Sequence, residues 1–70
     1  MRFRSAGRLG PEQVGRRVSV RVRDDDGSAR DIIGILEALD PHAATIAREN
    51  GARESVRLER IIAAREVRAR

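Results

Sequence analysis

The chain has 70 residues, of which 37% are charged and 40% are hydrophobic, and its formal net charge is +4. This length predicts one small domain, near the lower limit at which an apolar core folds without disulfides or metals. The chain has no cysteine and a single histidine, which excludes a disulfide framework, a cysteine-based zinc site and a histidine metal cluster. No apolar run approaches the length of a membrane span, so we expect a cytoplasmic protein without a membrane partner.

The positive charge is concentrated at the two ends of the chain. Residues 1–8 carry three arginines, and residues 65–70 carry three arginines and one glutamate. Residues 9–64 hold nine arginines and ten acidic residues, which leaves this part with a net charge of −1. A nucleic-acid groove requires a basic surface within the folded body, so this distribution argues against one.

The beginning of the chain predicts a lead-in followed by one short helical turn. Residues 1–8 show no hydrophobic period, and we expect them to be flexible. Pro11 is suited to the first turn of a helix, which Gly15 then ends. We expect Leu9 and Val14 to pack beneath the domain as an apolar plug.

Residues 16–23 predict the first strand. Val18, Val20 and Val22 alternate with polar residues, and a period of two with β-branched side chains indicates a half-buried strand. The Asp-Gly pair in residues 24–28 indicates a turn. The three adjacent aspartates lack the ligand spacing of an EF-hand calcium loop, so a solvated turn is favoured over a calcium site. The outer side of this strand carries the arginines that form a candidate interaction surface: Arg16, Arg17, Arg21 and Arg23.

Residues 31–39 fit either an amphipathic helix or a strand. Three isoleucines and a glycine favour the strand, as do the strands predicted on either side. Gly34 inside this strand predicts a bend or bulge of the kind found at the corners of small barrels. Residues 40–42 then form a turn, and we interpret His42 as exposed and uninvolved, because the sequence shows no acid–base partner for it.

Residues 43–48 and 53–58 predict a hairpin. A two-residue loop at Asn50-Gly51 would place Ile46 and Val56 on opposite faces of the pair. A three-residue loop over residues 49–51 instead pairs Arg48 with Ala52 and places Gly51 in a left-handed conformation. We prefer the second register because burial decides register, and it places four apolar residues on one face: Ala44, Ile46, Val56 and Leu58.

Residues 58–62 predict a helical turn, residues 62–67 predict a last short strand, and residues 68–70 fray. The expected fold class is mostly β: a small SH3-like, partly open five-stranded barrel over residues 9–67, with one short helical turn before the last strand. The predicted core contains sixteen aliphatic residues: Leu9, Val14, Val18, Val20, Val22, Ile32, Ile33, Ile35, Leu36, Leu39, Ile46, Val56, Leu58, Ile61, Ile62 and Val67.

Four segments carry a family resemblance: LGPEQVGRRVSVR at residues 9–21, DIIGILEALD at 31–40, TIAR at 45–48 and VRLERIIAA at 56–64. Together they resemble the N-terminal SH3-like domain of actinobacterial GNAT-family N-acetyltransferases, over residues 9–67. In that family the barrel precedes a larger acetyl-CoA-dependent catalytic domain. This chain lacks a Gly-rich phosphate loop at a helix start, so acetyl-CoA is implied only through an attached GNAT domain, and no catalytic residue is carried over. The chain is either an excised domain or a free-standing relative of the module.

The residues and the resemblance together favour a non-catalytic docking domain that binds a protein, either a catalytic domain in the same polypeptide or a separate protein. Such a domain predicts an apolar surface patch with arginine at its rim. The alternative is a nucleic-acid-binding barrel that contacts phosphates through the four candidate arginines, although Phe3 is the only aromatic residue available for stacking. The same shortage argues against a receptor for Pro-rich peptides. Carboxylates such as Glu54 and Glu59 show no sign of the burial that an enzyme would need, and we expect no cofactor or metal for this chain.

Overall fold

The computed structural model describes residues 9–67, which form a mostly β domain with short 3-10 turns at Pro11–Gln13 and Leu58–Arg60. The strands form one antiparallel sheet in the order β4-β3-β2-β1-β5, which is not closed, so that β4 and β5 are its edges. This confirms the predicted open, five-stranded, mostly β fold with a short helical turn before the last strand. The expected flexible lead-in and frayed end lie outside the described residues. The strands are β1 (Arg17–Arg23), β2 (Ala29–Leu39), β3 (Ala43–Arg48), β4 (Arg53–Arg57) and β5 (Ile61–Glu66).

Within residues 9–67 the buried hydrophobic residues all lie on one face of this sheet. Val56 from one edge strand and Ile61 from the other belong to the same buried cluster as the central strands, so the sheet curves around its own apolar face. Successive side chains of a strand point to opposite faces, which is why the buried residues of β1 are every second one. The buried hydrophobic residues are Val18, Val20, Val22, Ile32, Leu36, Ala44, Ile46, Val56 and Ile61.

Gly34 does not form the predicted bulge. The register between β2 and β3 shifts between Leu36 and Ala38, whereas Gly34 lies within the regular ladder opposite Arg48. A Cβ on Gly34 would lie 2.2 Å from the carbonyl oxygen of Ala47. Glycine is therefore needed here because β3 approaches β2 closely, and the irregularity in the ladder lies between Leu36 and Ala38 instead.

The β3–β4 hairpin has the predicted three-residue loop. The amide of Arg48 donates to the Ala52 carbonyl at 2.8 Å, and the amide of Gly51 donates to the Arg48 carbonyl at 2.9 Å. Gly51 has a φ of +92°, in the left-handed region that glycine adopts without a steric cost. This register places Ala44 opposite Val56, and both are buried.

The predicted apolar plug is half correct. Leu9 packs against the core, but Val14 is 43% exposed, and the residue buried in this segment is Gln13. The side-chain oxygen of Gln13 accepts a hydrogen bond from the Gly10 amide at 2.9 Å, which closes the turn and satisfies a polar group that would be costly to bury alone.

Candidate functional site

The most prominent feature of the surface is a pair of exposed isoleucines in the middle strand of the sheet. Ile33 is 48% exposed and Ile35 is 39% exposed, which contradicts their assignment to the core. Ile32, Gly34 and Leu36 are buried on the inner face of β2, and a period of two then forces the intervening residues outward. Because β2 has two strands on either side, both isoleucines lie near the centre of the outer face.

The neighbours of these isoleucines leave them uncovered. Ser19 of β1 is the cross-strand partner of Ile33, while Arg17 of β1 and Ala47 of β3 are the partners of Ile35. Serine and alanine are too short to shield an adjacent isoleucine. These five residues, Arg17, Ser19, Ile33, Ile35 and Ala47, are called the isoleucine face below.

A shallow depression of about 220 Å³ borders the isoleucine face on the side of β5. Ser19 and Ala63 both line it, and their short side chains leave the space open. Ser19 is paired with Arg65 on one side and with Ile33 on the other, so the depression is contiguous with the exposed isoleucines. Its lining consists of Ser19, Arg21, Asp31, Ala63, Ala64 and Arg65.

The four arginines singled out from the sequence lie in or next to β1, but they do not form a free basic stripe. Arg21 makes a two-point contact with Asp31, with Nε to Oδ1 at 2.8 Å and Nη2 to Oδ2 at 3.3 Å. This hydrogen-bonded pair lowers the pKa of Asp31 below its ordinary value and raises the pKa of Arg21. Arg23 donates to the carbonyl of Gly27 at 2.9 Å.

The other two candidate arginines also face carboxylates. Arg16 contacts Glu66 at 3.2 Å between Nη1 and Oε2. Arg17 is 3.8 Å from Glu49, a loose pair in which the carboxylate side chain is 84% exposed. Exposed pairs of this kind contribute little stability, but they reduce the positive potential that a phosphate backbone would meet.

Arg65 differs from these arginines. It is exposed on β5 directly opposite Ser19, and no residue in the described range 9–67 contacts its guanidinium through a hydrogen bond or ion pair. The hydroxyl of half-buried Ser19 likewise has no partner among these residues. The depression is therefore bordered by one cation and one hydroxyl that the rest of the described protein leaves available.

A second charged cluster lies on the inner side of the sheet, where the core ends. Glu54 of β4 accepts from Arg30 at 2.6 Å and from Arg48 at 2.8 Å, and Arg30 also donates to Asp24 at 2.9 Å. The hydrogen bond from Arg30 is the main cause of a lowered pKa for Glu54. This network connects the β1–β2 turn to β2, β3 and β4, and its effect is structural: it covers the end of the core with mutually satisfied charges.

The residues considered for catalysis or metal binding are not brought together. Glu54 contacts arginines of the network just described, whereas Glu59 contacts Arg57 at 3.1 Å. His42 is exposed in its turn. The adjacent aspartates have separate partners, with Asp25 contacting Arg60. Within residues 9–67 no group of three metal-ligating side chains occurs, and no helix is long and apolar enough to cross a membrane.

Sequence reasoning missed the isoleucine face because it counted every aliphatic residue of 31–36 as core. The signal was available in the contrast with β1, where valines alternate with polar residues, whereas β2 carries isoleucine on both of its faces.

In comparisons with family models, curated proteins and solved structures, no match to the chain is found.

Proposed function

We propose that this chain is a non-catalytic docking domain that binds a protein partner through the isoleucine face. The observation that carries the proposal is the exposure of Ile33 and Ile35 side by side at the centre of the outer sheet surface. Single exposed aliphatic residues are common, but an adjacent pair bordered by arginine has the composition of a protein interface, with an apolar centre and a charged rim.

The sheet order and the 3-10 turn before β5 support an SH3-like classification of this domain. Together with the resemblance of residues 9–67 to the N-terminal module of GNAT-family N-acetyltransferases, this favours an acetyltransferase catalytic domain as the partner, either in the same polypeptide or as a separate protein. The docking domain itself contributes no acid–base chemistry in this proposal. Where the pKa of a carboxyl group is shifted, it is lowered, whereas an acid catalyst at neutral pH requires a raised pKa. The four carboxyl groups with a lowered pKa are those of Asp26, Asp31, Asp40 and Glu54.

Nucleic-acid binding is the weaker proposal. Residues 9–67 contain ten arginines and eleven acidic residues, a net charge of −1. Arg16, Arg17 and Arg21 each face a carboxylate, so a phosphate backbone would have to displace existing ion pairs. The isoleucine face also has no aromatic side chain on which a base could stack.

The proposal is tested by titrating the full ¹⁵N-labelled chain with a purified actinobacterial GNAT catalytic domain. We expect amide shifts to concentrate at Ile33, Ile35 and their cross-strand neighbours, and the double variant Ile33→Thr/Ile35→Thr to lose binding. Threonine keeps the β-branched shape, so the sheet is preserved. Val14→Thr is the matched control, because Val14 is equally exposed but lies outside the sheet, and it should bind like the unchanged chain.

Three results would contradict the proposal or its choice of partner. Binding that the double variant retains would show that the isoleucine face is not the docking surface. Tight binding of a short oligonucleotide that weakens steeply with salt would favour the nucleic-acid alternative. No shift with the catalytic domain would exclude that domain as the partner.

A further inference from the structure

We infer that the partner of the isoleucine face presents a carboxylate close to an aliphatic side chain, with the carboxylate bound by Arg65 and Ser19 in the adjoining depression. This inference rests on the proposed docking function and adds the chemistry of the partner. It identifies an acidic and aliphatic protein segment, and it assigns Arg65 and Ser19 as residues that determine specificity.

Free charge is unevenly distributed on the outer face. Arg21 is held by Asp31, and Arg53 contacts Glu37 at 2.6 Å. Arg65 has no such partner among residues 9–67. It is close enough to lower the pKa of Asp31 further, but it makes no ion pair with that carboxylate. The depression therefore has two arginines and one aspartate in its lining, and a single incoming carboxylate would balance their charge.

Three neighbouring strands bring the free charge and the apolar surface together. Arg65, Ser19 and Ile33 lie in register across β5, β1 and β2. Adjacent strands are about 4.8 Å apart, so the backbone positions of Arg65 and Ile33 are separated by about 10 Å. A carboxylate and an aliphatic side chain on one short segment can span this distance and contact both groups together. The hydroxyl of Ser19, between the two, provides a donor for the second carboxylate oxygen.

A carboxylate on a protein segment fits this surface better than a phosphate does. A phosphate would also be attracted to Arg65, but the exposed Ile33, two strands away in the same register, favours a ligand in which the charge is followed by an apolar group. A second copy of this chain is less suitable, because the same face would present Arg65 again while its one aspartate is already occupied by Arg21. A protein segment with an acidic and an aliphatic residue satisfies both parts of the surface.

The probe for this inference is a random 12-residue peptide library displayed on phage and selected on the immobilised full chain. We expect enriched peptides to carry Asp or Glu within a few residues of Ile, Leu or Val. A synthetic copy of an enriched peptide should shift the amides of Ser19, Ile33 and Arg65. Replacing its acidic residue by the corresponding amide should weaken binding about tenfold, as expected for loss of a charge-assisted hydrogen bond.

The variant Arg65→Gln separates the charge from the rest of the surface. The peptide should bind this variant about tenfold more weakly, and the acid-to-amide change in the peptide should then have no additional effect, because both changes remove the same contact. Arg57→Gln is the matched control. It removes an exposed arginine that does not line the depression and should leave the affinity unchanged.

The outcomes distinguish this inference from the docking function. Peptides that bind in a manner dependent on Ile33 and Ile35, but that lack acidic residues and tolerate Arg65→Gln, would overturn the inference and leave the docking function standing. If no selected peptide depends on the two isoleucines, this inference fails, and the titration with the catalytic domain decides separately whether the docking function stands. A free chain that sediments as a dimer, and becomes a monomer as Ile33→Thr/Ile35→Thr, would assign the face to a second copy and also overturn the inference.

Discussion

Gly34 determines how closely β3 approaches β2, and alanine at this position tests that packing. The new Cβ would lie 2.2 Å from the Ala47 carbonyl oxygen and 2.9 Å from Cγ2 of Ile46. Raising the first separation to 3.0 Å, below which real Cβ contacts are essentially absent, requires a displacement of at least about 0.8 Å. Because the nearest atom belongs to the backbone, β3 itself has to move.

The magnitude follows from two contributions. Overpacking of a well-packed site costs about 1–3 kcal/mol, and separating the strands weakens ladder hydrogen bonds that contribute about 1 kcal/mol each. We therefore expect Gly34→Ala to lower the free energy of unfolding by about 3 kcal/mol. Domains of this size have a total of roughly 4–10 kcal/mol, so the loss is a large part of the whole. With an m-value of about 1 kcal/mol/M, the urea midpoint falls by about 3 M.

The assay is urea unfolding followed by far-ultraviolet circular dichroism, because the chain contains no tryptophan or tyrosine. Gly27→Ala is the matched control. Its φ is +90° and nothing lies within 4 Å of the added Cβ, so alanine there incurs only the conformational cost of about 1–2 kcal/mol. If Gly34→Ala lowered the midpoint no more than Gly27→Ala does, the argument that close strand approach requires this glycine would be wrong.

Three further predictions concern stability. Ile33→Thr and Ile35→Thr should each change the free energy of unfolding by about 1 kcal/mol or less, whereas Ile32→Thr in the core should cost about 3 kcal/mol in the same urea assay. Glu54→Gln should lower stability at neutral pH by about 1–2 kcal/mol. Because the folded-state pKa of Glu54 lies below its ordinary 4.5, the unchanged chain should lose this stability as the pH falls below 4.5 and through that lower value, and unfolding scans of the variant should show a weaker acid dependence. Gly51→Ala should cost about 1–2 kcal/mol through its positive φ, and a thermal melt should show a smaller loss for Gly51→Asn.

Local signals were sufficient for most of the fold. The alternating valines of β1 identify both the strand and its buried face. The register of the β3–β4 hairpin followed from one requirement, that Ile46 and Val56 share a face, together with a glycine at the position that needs a positive φ. These features depend on residues close together in the chain, and this is why the sequence alone predicts them.

The surface required information about strand neighbours. The sequence does not define whether Ile32 or Ile33 points inward, because isoleucine occupies both alternating sets of positions in β2. In the structure Leu36 is buried, and Ile32 lies on the same face of the strand as Leu36. The pairing of Arg21 with Asp31 depends on the register between β1 and β2. Contacts made between strands that are distant in the chain are tertiary properties, so a count of charges could not show which arginine is left without a carboxylate.

A comparison of the outer sides of β1 and β2 shows why the isoleucine face calls for a functional explanation. The outer side of β1 carries arginines and a serine, which shows that this sheet tolerates polar residues on its solvent side. High β-propensity is not a sufficient reason for the isoleucines, because threonine satisfies the same preference. The Ile33→Thr and Ile35→Thr variants separate the two explanations: if stability is preserved and partner binding is lost, the isoleucines serve recognition. If stability falls as far as it does for Ile32→Thr, they belong to the packing of the sheet and the docking proposal loses its main support.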